Sequence, residues 1–229
     1  MDSLTVNWKL AEPALEQVEV KGNPKNGPVT ISSCPGELRC IGIGTDAAVF
    51  QFDQAPGYAF KVYSREAVSK KEIEESVYLQ LNGSSYFPQY YGKGENYIVI
   101  SLEHGVTLYD CLTRGIPIPR QVILDVEDAR NYVRLQGLNP RDIHLKNVLL
   151  QEGRGKVIDV SEYVKDGNDE RWEDLVWCYN QIYPLVEGKS IPSWMLETIK
   201  NWYYQVDKAN FILEEFSKQM VQLFMGKRK

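Results

Sequence analysis

Two short segments, PRDIHLKNVLL at residues 140–150 and VIDVS at residues 157–161, carry most of the information about fold and function. They place three polar residues in a fixed order: Asp142, Asn147 five residues later, and Asp159. Each of these side chains taken alone would be an ordinary polar residue of a loop. Their significance depends on whether other motifs precede them in the order that one kind of site requires.

A glycine-rich segment, IGIGTDAAV at residues 41–49, is the first such motif. A predicted strand lies on each side of it, whereas a Rossmann or Walker phosphate loop needs a helix after its glycines. A glycine hairpin between strands can instead bring its backbone close to the phosphates of a nucleotide. Because Ala47 stands where G-x-G-x-x-G has its third glycine, this motif alone is equally compatible with an ordinary hairpin.

Lys61 is the next motif, because it lies inside the apolar strand AFKV at residues 59–62. Burying an ammonium group without a partner is costly, so this lysine should meet a carboxylate, a phosphate or both. The alternative is an edge strand on which Lys61 points into water. On the helix predicted next, Glu75 is the expected partner, since it starts the inward-facing stripe, and Glu74 is the second choice.

In this order, the motifs resemble those of protein kinases. Arg141-Asp142 is similar to the later part of the His-Arg-Asp catalytic loop, Asn147 stands as in D-x-x-x-x-N, and Asp159 matches the Asp of Asp-Phe-Gly. The resemblance covers about residues 36–182. It implies an α+β, bilobal protein-kinase-like fold, with a small antiparallel sheet and one helix in the N-lobe and a mainly helical, shortened C-lobe.

The resemblance also implies a role for each motif residue. Phosphoryl transfer requires mainly positioning and charge neutralisation, with ATP and Mg²⁺ as cofactors. Asp142 is implied as the catalytic base, Asn147 and Asp159 as magnesium ligands, and Lys61, paired with Glu75, as the group that holds the α- and β-phosphates. The implied nucleotide contacts come from the glycine loop, from apolar residues around the base and from a hinge whose backbone contacts adenine: Gly42, Gly44, Ile41, Val49, Ala59, Ser101, Leu102 and Glu103.

Three departures limit what the resemblance implies. Pro140 replaces the histidine before Arg-Asp, and Val160-Ser161 replace Phe-Gly, which are framework positions. The segment between Asp159 and the helix that contains Asp174 is short, so a regulated activation loop and a peptide-docking platform are expected to be absent. Asp174 either anchors its helix by bonding to the catalytic-loop backbone or is an exposed carboxylate at the helix N-terminus.

His144 is the third departure, since it replaces the lysine found two residues after the catalytic Asp in serine/threonine kinases. The motif D-x-H-x-x-N is shared with aminoglycoside and choline phosphotransferases, and the short segment after Asp159 resembles that of RIO-type kinases. As a candidate catalytic residue, His144 would lie near the transferred phosphate, where a histidine can gain or lose its charge close to neutral pH. The alternative is that it only packs the loop.

One domain with a lead-in is predicted. Residues 1–36 contain several prolines and should be irregular or form short strands, and residues 37–229 should form a single minimal kinase domain. Its parts are an N-lobe at about residues 37–100, a hinge at residues 101–105 and a C-lobe at residues 106–229. The predicted elements are strands Leu38–Ile41, Ala48–Phe52, Tyr58–Tyr63, Tyr97–Ile100, Val148–Gln151 and Lys156–Ile158, and helices around Ile123–Val133, Glu173–Tyr183 and Ser193–Met225.

Composition excludes several other classes. The 229 residues include 43% hydrophobic and 25% charged residues, as in a globular protein, and the net charge of −5 gives no general reason to bind nucleic acid. No secretory segment or membrane-length apolar run is visible. The four cysteines form no C-x-x-C pair, so free thiols in a cytoplasm are expected.

The sequence is most similar to small bacterial proteins of the YrzF type, which are described as serine/threonine kinases. The favoured function is therefore a minimal serine/threonine protein kinase that transfers the γ-phosphate of Mg-ATP to a hydroxyl of an unknown acceptor. Two alternatives stay open. One is a small-molecule kinase, suggested by His144 and by the expected absence of a peptide-docking platform. The other is a nucleotide-binding pseudokinase that acts as a scaffold, suggested by Ala47, Pro140 and Val160-Ser161.

Overall fold

The computed structural model describes residues 7–25, 27–205 and 213–225. These residues form two compact units, each assembled from three stretches of the chain. Unit 1 comprises Met1–His104, Ala129–Pro140 and Ile158–Asp166, and unit 2 comprises Gly105–Asp128, Arg141–Val157 and Gly167–Lys229. The first stretch of unit 2 begins at Gly105, the last residue of the predicted hinge. Residues 129–140 and 158–166, which were assigned to the predicted C-lobe, belong to unit 1.

Unit 1 is built on an antiparallel sheet of five strands in the order β3-β4-β5-β7-β6. Among the described residues before Leu102, this unit also contains a separate hairpin, β1-β2, the α-helices α1 and α2, and two short 3-10 helices, Trp8–Ala11 and Arg65–Ala67. The elements are α1 Glu12–Leu15, β1 Glu19–Lys21, β2 Thr30–Ser33, β3 Leu38–Ile43, β4 Ala47–Phe52, β5 Tyr58–Tyr63, α2 Val68–Leu81, β6 Tyr90–Lys93 and β7 Tyr97–Ser101. The predicted small antiparallel sheet with one long helix is therefore confirmed.

The sheet has an apolar face that is covered by described residues between Ala11 and Val29. Phe50 and Phe60 are fully buried there, in one core cluster with Leu15 and Val20 from the predicted lead-in. Because successive side chains of a strand point to opposite faces, Lys61 lies on the other face, where it contacts helix α2. The lead-in thus supplies the packing that buries one face of the sheet.

Unit 2 is mainly helical, with a small three-stranded antiparallel sheet in the order β10-β9-β8. Its elements are β8 Val106–Thr107, α3 Leu108–Arg114, the first part of α4 Arg120–Leu135, β9 Val148–Gln151, β10 Arg154–Val157, α5 Arg171–Gln181, α6 Tyr183–Val186, α7 Ser193–Gln205 and α8 Leu213–Met225. The helical stretch predicted over Ser193–Met225 is helical at both ends, and its residues 206–212 lie outside the described residues.

The turn of the β9–β10 hairpin fixes where β9 begins, directly after the predicted catalytic loop. Glu152 and Gly153 both have positive φ, 50° and 81°, as a two-residue hairpin turn between twisted strands requires. The tight turn is therefore Glu152-Gly153, and Arg154 already belongs to β10. This pairs Val148 with Val157 and places Asn147 directly before the first residue of β9.

Asp125 of α4 is a buried carboxylate that holds this hairpin in place. It accepts hydrogen bonds from Arg154 Nε and Nη2 at 2.8 and 2.7 Å, from the Gly155 amide at 2.8 Å and from Gln121 at 2.9 Å. The Arg154 guanidinium, acting against burial, lowers the pKa of Asp125 to about 2.

We expect Asp125→Asn to lower the free energy of unfolding by about 2 kcal/mol at pH 7, since the native state prefers the ionised form by roughly that amount. A depressed folded-state pKa contributes stability above the unfolded pKa and loses it as pH falls. The difference between wild type and variant should therefore shrink between about pH 5 and pH 2. Urea unfolding at several pH values measures it. Asp128→Asn, at an exposed position of the same helix, is the control, and an equal loss in both variants would contradict the prediction.

None of the helices among the described residues combines the length and the apolar character needed to cross a bilayer. All four cysteines are free thiols: Cys34 and Cys40 are exposed, Cys111 is buried and Cys178 is half-buried.

Candidate active site

A lysine and two carboxylates meet on the α2 side of the unit 1 sheet. The Lys61 Nζ, on a side chain only 13% exposed, lies 2.6 Å from the Glu74 Oε1 and 3.5 Å from the Asp159 Oδ1. The Tyr63 hydroxyl donates to the other Glu74 oxygen at 2.7 Å. The Tyr78 hydroxyl donates to the Ile158 carbonyl at 3.3 Å and so ties helix α2 to the residue before Asp159.

The predicted partner of Lys61, Glu75, is wrong, and the partner is Glu74. Glu74 precedes Tyr78 by four residues and Leu81 by seven, which is the spacing of one helix face, and both of those side chains are buried. Glu75 is rotated away from this face and accepts instead from the Tyr90 hydroxyl at 2.8 Å and from Lys93 at 3.1 Å. The same spacing in the sequence could have identified Glu74.

Electrostatics favour the charged form of Lys61 in this cluster. Although burial opposes the charged form of Lys61, the Asp159 and Glu74 carboxylates together raise its pKa above the ordinary value. Burial raises the pKa of Glu74, and Lys61 opposes that shift. Tyr63 stays protonated, because burial and the Glu74 carboxylate both raise its pKa. The Lys61 ammonium group is thus held inside unit 1 between the carboxylates of Glu74 and Asp159.

The glycine loop is the turn between β3 and β4. The Gly44 amide donates to the Ala47 carbonyl at 2.8 Å, and Gly42 lies opposite Val49 in the pairing of the two strands. Ile41 is 43% exposed, whereas Ala59 on β5 is buried. The loop is therefore a strand-to-strand hairpin, with no helix after the glycines.

The predicted hinge begins at the last residue of β7. The Ser101 amide donates to the Gln89 carbonyl at 2.8 Å, and the Leu102 amide donates to the Gly57 carbonyl at 2.9 Å. The Ser101 hydroxyl donates to the Glu103 carboxylate. Because two of the three amides are already engaged within unit 1, any adenine contact from these residues must use their other backbone groups.

The residues of the predicted catalytic loop lie together in unit 2. Asp142 has a positive φ of 55°, a conformation that Asp tolerates better than most residues, and its amide donates to Asp169 at 2.8 Å. Its carboxylate accepts a hydrogen bond from Arg171. The Asn147 side chain donates to the Asp142 carbonyl at 2.8 Å, so this loop is closed on itself.

Asp169 and Arg171 are further functional candidates, which the sequence motifs did not include. Asp174 was expected either to bond to the loop backbone or to be an exposed carboxylate at the helix N-terminus. It is half-buried and accepts from the Tyr203 hydroxyl at 2.6 Å, while Asp169 accepts from the Asp142 amide of the loop. Asp169 precedes the first residue of α5 by two positions, so its side chain can reach back from the helix start. The run of charged residues from Asp169 to Arg171 was the available signal.

His144 is half-buried, and its Nδ1 accepts from the Lys146 amide at 3.2 Å. The Lys146 ammonium lies over the Tyr109 ring, 4.5 Å from its centroid. The hydrogen bond to the Lys146 amide thus fixes the His144 ring against the backbone of its own loop.

The donor atoms of the two predicted magnesium ligands suit a hard cation. Asp159 offers carboxylate oxygens, and Asn147 offers its amide oxygen, since the bond to the Asp142 carbonyl uses the amide nitrogen. Mg²⁺ prefers such oxygen ligands, whereas zinc and copper prefer imidazole or thiolate. The residues present therefore fit magnesium.

Comparison with known proteins identifies the family. No family model matches the sequence. The chain is 36% identical over 175 residues to "Putative serine/threonine-protein kinase YrzF" of Bacillus subtilis (strain 168), and the match covers 73% of this chain and 81% of that protein. Among solved structures, it is similar to "Co-crystal structure of WbdD and kinase inhibitor LY294002", with a TM-score of 0.46 and 16% identity, over 79% of this chain and 44% of that chain. This chain thus spans less than half of that longer one. The identity to YrzF, over most of both sequences, shows that the chain belongs to the YrzF-type family of protein-kinase-like proteins.

Proposed function

We propose that the protein is an ATP-dependent phosphotransferase, a minimal serine/threonine protein kinase that transfers the γ-phosphate of Mg-ATP to a hydroxyl. The observation that carries the proposal is the buried Lys61–Glu74 pair with Asp159 at 3.5 Å. A buried ammonium held by one carboxylate beside a second one provides a positive group for phosphate oxygens and a negative group for a metal on those phosphates. The proposed location is the cytoplasm, where ATP is available.

The glycine loop supports a role in phosphate binding. Neither Gly42 nor Gly44 has a positive φ, and a Cβ on Gly42 would meet only Val49, at an ordinary contact distance of 3.7 Å. The hairpin itself therefore does not demand glycine at position 42. Close approach of a ligand to the backbone is a physical reason for glycine at such a position.

The Asp142 carboxylate is the group proposed to bind the hydroxyl of the phosphate acceptor. A carboxylate has about four lone-pair sites, so it can accept from an acceptor hydroxyl while Arg171 donates to it. The Asp169 bond to its amide and the Asn147 bond to its carbonyl hold its backbone in place. Its role is to orient the hydroxyl and take its proton as the phosphate is transferred.

Magnesium would be held by Asn147 and Asp159, and when bound it supplies charge neutralisation on the phosphate oxygens. Lys61 adds a positive charge from the protein, and Glu74 keeps the ammonium in position.

Incubation of the full chain with γ-labelled ATP and Mg²⁺, with and without a generic protein substrate, tests the proposal. Label on this chain or on the added protein supports a protein kinase. Turnover that appears only with added hydroxyl-bearing small molecules supports a small-molecule kinase, the candidate favoured by His144 in D-x-H-x-x-N. Nucleotide binding without any transfer would overturn the proposed activity and leave a scaffold.

Asp159→Asn is expected to weaken Mg-ATP binding on the order of tenfold or more and to leave adenosine binding within about twofold. The change removes the charge of a metal ligand and does not alter the residues proposed to contact the base. Calorimetric titration with Mg-ATP, with ATP in EDTA and with adenosine separates these effects. Asp53→Asn, at an exposed turn of the same unit, is the control. Equal weakening of adenosine and Mg-ATP would indicate a structural role for Asp159.

A further inference from the structure

A cavity of about 390 Å³ lies within unit 2, among helices α3, α5, α7 and α8. Its size falls in the range of small-molecule pockets, about 300–1,000 Å³. Among the described residues, the lining is mainly aliphatic and aromatic and includes Leu112, Leu175, Cys178, Ile199 and Phe216. The proposed phosphate transfer uses none of these five side chains.

The apolar lining is incompletely buried. Leu175, Cys178 and Ile199 are only half-buried, although each lies in the middle of a helix. Burial, with a smaller contribution from the Asp174 carboxylate, raises the pKa of the Cys178 thiol to about 12, so it stays neutral and behaves as a small apolar group. An apolar molecule in this cavity would remove the remaining lining surface from water, which is favourable.

Positive charge is concentrated at one edge of the cavity. Lys146 and Lys200 both line it, and their ammonium groups lie 3.7 and 3.1 Å from the same carboxylate, Glu197. Lys200, and to a smaller extent Lys146, hold the pKa of Glu197 below its ordinary value. Two ammonium groups around one carboxylate leave a net positive charge at this edge. Of the other charged residues that line the cavity, Arg171 is paired with Asp142 and Asp169, and Asp174 accepts from the Tyr203 hydroxyl.

We propose that this cavity is a binding site for a single-chain amphiphile with an anionic head, whose chain fills the apolar part and whose carboxylate or phosphate lies at Lys146 and Lys200. The reverse orientation would bury the charged head among apolar side chains, which is strongly unfavourable. A cationic amphiphile would meet the two ammonium groups. The site needs no nucleotide, so it stands independently of the proposed phosphate transfer.

Calorimetric titration of the full chain without nucleotide, below the critical micelle concentration, tests the proposal. The probes are dodecanoate, dodecyl phosphate and dodecyltrimethylammonium. Saturable one-site binding of one or both anions is expected, with the cation on the order of tenfold weaker at low salt, since exposed charge pairs contribute modestly and are screened. Comparable affinity of the cation, or no saturable binding of either anion, would overturn the proposal. The two anions distinguish a carboxylate from a phosphate head.

Chain length gives a second signature. Affinity should rise about fourfold for each added methylene, as expected for a buried CH₂ group. The rise should stop once the chain fills the cavity of about 390 Å³. A continued rise up to the longest carboxylates would indicate association with the protein surface and would contradict a bounded site.

Paired variants separate the cavity from the surface. Cys178→Phe fills part of the cavity and should weaken all anionic probes at least about tenfold, whereas Cys178→Ala at the same position should retain binding. Lys200→Gln should weaken the anions about three- to fivefold, and Lys218→Gln, an exposed lysine of α8, should not. Thermal unfolding without probe checks that each variant folds, and the lysine pair decides even if Cys178→Phe does not fold. Equal behaviour of Lys200→Gln and Lys218→Gln would overturn the head-group assignment.

Discussion

Lys61→Met is expected to abolish measurable phosphate transfer, with kcat/KM falling on the order of 10³-fold or more, because the variant lacks the buried positive charge proposed to hold the phosphates. Methionine has a similar length and no charge, so the packing of β5 should be retained. Single-turnover transfer from labelled ATP measures the effect. Glu74→Gln should lower transfer strongly as well, since it removes the carboxylate that holds Lys61 at 2.6 Å. Glu75→Gln should leave transfer within about twofold, because Glu75 bonds elsewhere.

Lys61→Met should also change stability in a pH-dependent way. Removal of Lys61 leaves the buried Glu74 without its cation, which costs about 3 kcal/mol near pH 7. Burial raises the pKa of Glu74, so the protonated form is favoured in the folded state. A group with a raised folded-state pKa contributes stability that is fully present below its ordinary pKa. That contribution is lost as pH rises from the ordinary pKa of Glu through the folded-state pKa of Glu74. The destabilisation should therefore be smaller near pH 5 than at pH 8.

The double variant Lys61→Met, Glu74→Gln separates stability from activity. It removes both charges of the buried pair, so it should recover much of the lost stability without recovering transfer. Urea unfolding and the transfer assay on the same samples test this. Full transfer activity in a folded Lys61→Met protein would remove the residue from the site.

Asp142→Asn is expected to lower kcat on the order of 10²- to 10⁴-fold while leaving nucleotide affinity within about threefold. Asparagine tolerates the positive φ of 55° at this position, so the loop should keep its shape and its amide bond to Asp169. The amide side chain cannot take a proton from the acceptor. Steady-state kinetics and nucleotide titration together measure both quantities.

Arg171 provides a further comparison. Because it donates to the Asp142 carboxylate, Arg171→Lys keeps a positive charge near Asp142 and should be much milder than Asp142→Asn. Loss of nucleotide binding in Asp142→Asn would contradict the proposed division of roles between the residue groups of units 1 and 2.

The sequence by itself determined the parts of the site that depend on short-range spacing. Asp142, Asn147 and Asp159 are recognisable in order because a loop and a two-stranded hairpin set their separation, and the hairpin is local. Strands Tyr58–Tyr63 and Val148–Gln151 were predicted with their observed bounds because alternation and apolar runs are properties of consecutive residues. A lysine in the middle of such a run predicts a buried charge whatever its partner is.

Tertiary structure alone decided which side chains meet. Glu74 and Glu75 are neighbours in the chain, and the helix rotation of about 100° between them sends one to Lys61 and the other to Tyr90. The structure likewise selects Asp169 to hold the catalytic loop and places Arg171 on Asp142. The packing of separate helices forms the apolar cavity. These outcomes depend on contacts between residues far apart in the chain. The free energy of such contacts comes from the packing of whole helices and strands, and the spacing of residues within a short segment does not determine that packing.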